Sequence, residues 1–170
     1  MRKIVFASTA LLIAVLGSQT ARADWAWTRW GMNTSEVLLA SGGAADFTND
    51  EERKRRMYRR GFTAIRVPEL VADHRLGGEM FNAYLLFEPA SARLVCVDLI
   101  PKNGGAAPAL KAALVAAYGS PQHEKREQLP GIEWTTTNWS TDRDTIELQQ
   151  GGVGTKLQFC QHGKVPPRAS

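Results

Sequence analysis

The chain reads as an α+β protein: two pseudo-repeats, each a helix plus a three-stranded antiparallel meander, forming a two-layer sandwich with a shared sheet or core. Three observations carry this reading. Helix signals (a capping box, an ordered charge run and an apolar 3-4 spacing) stand apart from stretches whose apolar residues alternate with period two. The alternating stretches are joined by turn-forming residues, which makes successive strands antiparallel neighbours. The chain has 170 residues, 44% hydrophobic and 22% charged, enough for one core and too few for two comfortable ones. The same values, with Gly 15, Pro 8 and Cys 2, exclude collagen-like, disordered and disulfide-dense chains.

Asn33 followed three residues later by Glu36 is a capping box, each side chain satisfying a free backbone donor of the first helical turn. It predicts a helix over about Thr34 to Ala40, ended by Gly42-Gly43. The run Asp50 to Arg60 places acids before bases, the order that the helix dipole favours. Glu51 with Arg55 and Glu52 with Arg56 stand four apart, Thr48 can cap through Glu51, and Gly61 can end the run. It predicts a solvated surface helix rather than a basic recognition helix.

Strands are expected over Glu79 to Phe87 and Arg93 to Ile100, with a weaker one between Thr63 and His74, broken by Pro68. On the second strong strand Val95, Val97 and Leu99 share one face, while Leu94, Cys96 and Asp98 share the other. Leu110, Ala113, Leu114, Ala117 and Tyr118 then repeat at helical spacing, and Gly119-Ser120-Pro121 stops that helix. Three more strands follow over about Ile132 to Trp139, Thr145 to Gln150 and Thr155 to Gln161. The halves are therefore about 24–104 and 105–163, with a loose tail over 164–170.

The first 23 residues read as an export address. Arg2 and Lys3 precede the apolar stretch Ile4 to Leu16, and Ala21-Arg22-Ala23 offers a cleavage site before Asp24. Thirteen residues cover about two-thirds of the roughly 20 that a bilayer requires, so a membrane-spanning protein is not expected. Cleavage removes Arg2, Lys3 and Arg22 and no acid, so the formal charge of +4 falls to +1. A nearly neutral exported chain has little to offer nucleic acid, and a periplasmic location is expected.

Gly31-Met32-Asn33-Thr34-Ser35-Glu36-Val37 resembles the Gly-Met-x-x-x-Glu-Val helix start of small exported helix-plus-sheet modules. These are the BamE-like (SmpA/OmlA) outer-membrane assembly lipoproteins and the beta-lactamase inhibitor protein fold. Leu114 to Tyr118 with Gly119-Ser120-Pro121, then Trp134 on the next strand, is similar to the Gly-x-Pro helix exit and tryptophan strand of the same modules. The chain departs from BamE in lacking a lipid-bearing cysteine near the cleavage site. The resemblance implies a non-enzymatic binding module whose partner is another cell-envelope protein.

Cys96 and Cys160 lie on the last strand of each half, on the more polar face by alternation. An exported pair is most often a disulfide. Bridging needs neighbouring strands, so a disulfide, two free thiols and metal or redox chemistry stay open. His74, His123 and His162 are dispersed, and nothing in their spacing gathers the three or four ligands of a zinc site. No Gly-x-Ser-x-Gly elbow occurs, Gly151-Gly152-Val153-Gly154 lacks the Lys-Ser/Thr of a phosphate loop, and Asp142 and Asp144 read as turn formers. No catalytic residue, cofactor or metal is assigned.

Five tryptophans are the excess that invites a function. Trp134 shares a face with Ile132 and is expected in the core, which leaves Trp139 exposed or at a strand end, as a binding anchor or as cover for an edge of the sheet. Trp27, near the new N-terminus, joins Trp139 as a candidate binding surface. The expectation is a soluble binding module. The alternative is a small-ligand carrier or hydrolase with a pocket between sheet and helices.

Overall fold

Residues 25–103, 108–152 and 154–164 are described in the structure, a computed structural model. The export segment over 1–23 lies outside them, as does the tail beyond Lys164. Among the described residues the elements run α1 (Thr34–Ser41), β1 (Ala45–Phe47), α2 (Asp50–Arg56), β2 (Tyr58–Arg60), β3 (Thr63–Leu76), β4 (Glu79–Glu88) and β5 (Arg93–Pro101). They continue with α3 (Pro108–Tyr118), β6 (His123–Leu129), β7 (Ile132–Ser140), β8 (Asp144–Gly151) and β9 (Gly154–Gln161). The class is α+β, three helices on one large antiparallel sheet of order β1-β3-β4-β5-β9-β8-β7-β6, with β2 paired to β3.

The capping box forms as its spacing demands: Glu36 N donates to Asn33 Oδ1 at 2.9 Å, and Asn33 N donates to Glu36 Oε2 at 2.7 Å. Gly42 ends α1 in the left-handed region, φ 59°, which a side chain would resist. The charge run behaves differently. Asn49, not Thr48, caps α2 through Glu52, and the Thr48 hydroxyl is buried without a hydrogen bond among the described residues. The helix stops at Arg56, and Tyr58–Arg60 turns back as a strand on β3. Gly61 therefore serves a hairpin, φ 58°, rather than a helix end. Glu52 takes both Arg56, at 2.6 Å, and Arg55.

Pro68 does not end its strand. β3 continues through it by way of a bulge at Glu69, since Pro68 faces Leu86 and Leu70 faces Leu85. A second bulge corrects the face assignment on β5. Leu86 pairs with Cys96 while Phe87 pairs with Leu94, so Val95 is the extra residue. Leu94 thereby joins Val97 and Leu99 in the main core, and Val95 falls on the opposite face with Cys96.

The main core lies between the sheet and α1, α3 and the N-terminal tryptophans. Val37, Leu110 and Leu114 reach it from the helices, and Phe81, Leu85, Val97, Ile146, Leu148 and Leu157 from the strands. On the other face α2 and β2 cover β4 and β5: the Arg56 guanidinium sits 4.3 Å over the Tyr84 ring, and Tyr84 Oη bonds Glu52 Oε2 at 3.1 Å. Cover on both faces explains the nearly continuous burial of β4 and β5.

Besides β2, two strands escaped the periodicity. β1 is three residues at the edge. β6, His123–Leu129, is so polar that no apolar face betrays it; it lies along the opposite edge with His123 to Gln128 exposed, and among the described residues it pairs only with β7. The second meander thus has four strands rather than three. Charged residues on such an edge oppose pairing with another chain.

Candidate functional site

Trp139 is the correction that bears most on function. It is 1% exposed, and its Nε1 donates to Gly119 O at 2.9 Å, locking β7 to the end of α3. Its register partner Ile146 is equally buried, whereas Trp134 is half-buried above Gly151. A Cβ on Gly151 would meet that indole at 2.3 Å. Ile132, which suggested the opposite assignment, sits half-exposed beside the hairpin turn and carries no information about the core. Trp139 therefore offers no surface to a partner. Trp27 is half-buried, packed on the core with its ring edge-on to Trp25 at 5.9 Å.

Cys96 and Cys160 face each other directly across β5 and β9, Cα atoms 4.0 Å apart, and are joined as a disulfide. Both are buried with Leu86 and Val95, partly under Tyr58. Arg66 lies over the bridge, its Nη1 3.7 Å from Cys160 Sγ and its Nη2 bonded to the Lys164 carbonyl. The histidines do not converge, and among the described residues no three His, Cys, Asp or Glu side chains gather as metal ligands.

Beside the bridge, on the α2 face, lies a polar cluster that sequence reasoning missed. The Asp98 carboxylate receives Gln158 Nε2 at 2.5 Å, Tyr58 Oη at 2.9 Å and Lys156 Nζ at 2.9 Å. Lys156 also touches Tyr58 Oη, and its ammonium sits 4.7 Å from the centre of that ring. Burial pushes the Asp98 carboxyl up to about 7, against the opposing hydrogen bond from Gln158 and the charges of Arg66 and Arg56. Burial lowers the Lys156 ammonium to about 8, helped by the Arg56 charge. Asp98, Lys156, Arg55 and Arg56 line a cleft of about 250 Å³. A lone carboxylate inside the apolar run Leu94 to Ile100 was the available signal. Every named bond of Asp98 is spent on its neighbours, so the cluster reads as a brace that pins β2 to the sheet.

The second cavity has a different character. The N-terminal segment crosses the main-core face. Gly31 N bonds Leu94 O at 2.9 Å, and Leu94 N returns a bond to Met32 O at 2.8 Å. At one end Trp25 stacks obliquely on His74 of β3, centroids 4.8 Å apart. Further on, Trp30 Nε1 donates to Asp144 Oδ1 of β8 at 2.6 Å. Helix α3 buries Leu110 and Leu114, while Ala117 and Tyr118 in its last turn stay exposed. Between helix, crossing segment and sheet remains a cavity of about 200 Å³ lined by Trp25, Trp30, His74, Tyr118, Asp144 and Phe159. Ala26, Leu76, Ala113, Leu114 and Ala117 complete its walls.

Asp144 is 4% exposed, and Thr141 holds the turn that aims it, Asp144 N donating to Thr141 Oγ1 at 2.9 Å. The expected turn role is therefore real, but the carboxylate also reaches the cavity. Burial first, and then the Asp144 charge, raises the Tyr118 phenol above its usual range. Burial holds His74 below the usual imidazole range, so it is neutral at pH 7. Five elements distant in sequence build this pocket, and no local motif announces it. Comparison with protein-family models, curated proteins and solved structures finds no match to this chain.

Proposed function

We propose that the protein is an exported small-ligand carrier whose ligand occupies the pocket between the crossing segment, α3 and the sheet. One observation carries the reading: a concave, largely aromatic cavity with a single buried carboxylate, the form that small-molecule sites take. The buried position of Trp139 leaves the aromatic protein-docking surface without its second anchor, which turns the choice from an envelope-protein partner to a small ligand. The leader-like Arg2 to Ala23 and the Cys96–Cys160 bridge support an oxidising, periplasmic location. As part of the same reading, the fold is a doubled helix-plus-meander plan joined through β5 and β9, the last strand of each half.

A thermal-shift screen of the mature chain against small organic molecules tests the function, repeated on Ala117→Trp, which fills the cavity from the exposed side of α3. Compounds that stabilise the wild type and not the variant support the carrier. Compounds indifferent to the variant, or a screen with no hits, would overturn it.

A further inference from the structure

We propose that the hairpin joining β2 to β3 is a membrane-contact tip, which lays Phe62 among the headgroups of an anionic bilayer and sets Arg59 and Arg60 against their phosphates. The proposal is independent of the pocket and its ligand. Tyr58 to Arg60 pair with Arg66 to Thr63 as a two-stranded ribbon set off from the main sheet, since β4 joins β3 only from Val67, opposite Phe87. Every residue from Arg59 to Thr63 is exposed, so the turn protrudes, and Phe62 at its head is fully exposed at 102%. A single exposed apolar side chain is ordinary on a soluble surface. Its setting here is not.

From Arg53 to Pro68 the chain holds seven Lys and Arg and no Asp or Glu. The flanking acids are committed to part of that run: Glu52 takes Arg55 and Arg56, and Glu69 takes Arg53. Arg66 is buried over the disulfide. Lys54, Arg59 and Arg60 enter no ion pair among the described residues, and all three are exposed. Arg59 Nη1 also donates to Phe62 O at 3.3 Å, which closes the turn and holds a guanidinium beside the exposed residue. An aromatic ring settles at the headgroup level of a bilayer, while cations on long stems reach the phosphates around it. An anionic leaflet adds attraction for each such cation. Surfaces that bind single-stranded nucleic acid instead line a groove with several stacking rings. One ring on a protruding turn fits a soft, flat, anionic surface better.

Co-sedimentation of the mature chain with lipid vesicles tests the assignment, with the apolar stretch Ile4 to Leu16 absent. Vesicles of equal parts phosphatidylserine and phosphatidylcholine should carry the protein down at about millimolar lipid, and phosphatidylcholine alone should not. Arg60→Gln should weaken binding about fivefold and Phe62→Ser at least about tenfold. Both side chains are exposed, so neither change disturbs the packing. Leu39→Ser, at an 85% exposed position of α1 on the opposite face of the sheet, should leave binding unchanged. Phe62→Trp should gain fluorescence quenching by brominated phosphatidylcholine in the anionic vesicles beyond that of the wild type. Equal binding to both vesicles, sedimentation with neither, a loss for Leu39→Ser matching that for Phe62→Ser, or no added quenching would overturn the assignment. If a single-stranded oligonucleotide binds and anionic vesicles do not, the basic turn serves nucleic acid and the assignment falls.

Discussion

Opening the Cys96–Cys160 bridge gives the sharpest stability test. The cysteines are 64 residues apart, so the bond closes a loop that holds α3 and β6 to β8. In the chain-entropy model a loop of that length removes about 14–15 cal/mol/K from the unfolded ensemble, about 4 kcal/mol at 25 °C. For a domain of this size that is roughly 9–17 °C in Tm. The perturbation is Cys96→Ala with Cys160→Ala, with dithiothreitol reduction of the wild type as its counterpart. Urea titration followed by tryptophan fluorescence measures both. Reduced and double-alanine proteins should each lose about 4 kcal/mol, with a larger m-value because the unfolded chain is no longer looped. A loss below about 1 kcal/mol with unchanged m would refute the reasoning, since it would mean that the unfolded chain already holds these strands together.

Trp139→Phe removes the bond to Gly119 O and leaves a void at a fully buried site, and should cost about 2–4 kcal/mol in the same titration; Trp27→Phe, half-buried, should cost under about 1 kcal/mol. Equal losses would show that the two rings contribute alike. With the Asp98 carboxyl at about 7 folded and near 3.8 unfolded, the folded state keeps a proton between those values that the unfolded chain has released. Its contribution is therefore complete below about pH 3.8 and declines as pH rises towards 7. From pH 4.5 to 6.5 wild-type stability should fall relative to Asp98→Asn by up to about 2.7 kcal/mol. Parallel pH profiles would mean that Lys156 keeps the carboxylate ionised throughout.

What the sequence disclosed was whatever depends on near neighbours. The Asn33/Glu36 box, the Gly42 stop, the helix of Leu110 and Leu114 and the turn that begins at Gly151 are local devices, and each lies where its chemistry requires. Features set by distant partners were not legible. β2 was hidden because Tyr58 to Arg60 continue the helical charge order, and only pairing with β3 overrides it. Trp139 was misassigned because its environment is made by Ile146 across the ladder and by Gly119 at the end of α3. The Val95 bulge reversed the side of Leu94 for a reason that alternation cannot contain. The pocket was hidden most completely. Asp144 reads as a turn residue, and only the crossing of Trp30 over the sheet gives its carboxylate a second role.

The junction between the two halves of the sheet is short, running only from Cys96 opposite Cys160 to Leu99 opposite Leu157. Ladder bonds over so few residues hold the two parts of the sheet together along only a short length, and the bridge adds a covalent tie at one end of that seam. Once oxidised, residues 96–160 form a closed covalent ring that stays with its own β5. Oxidation thus turns a seam of four residue pairs into a covalent closure between β5 and β9.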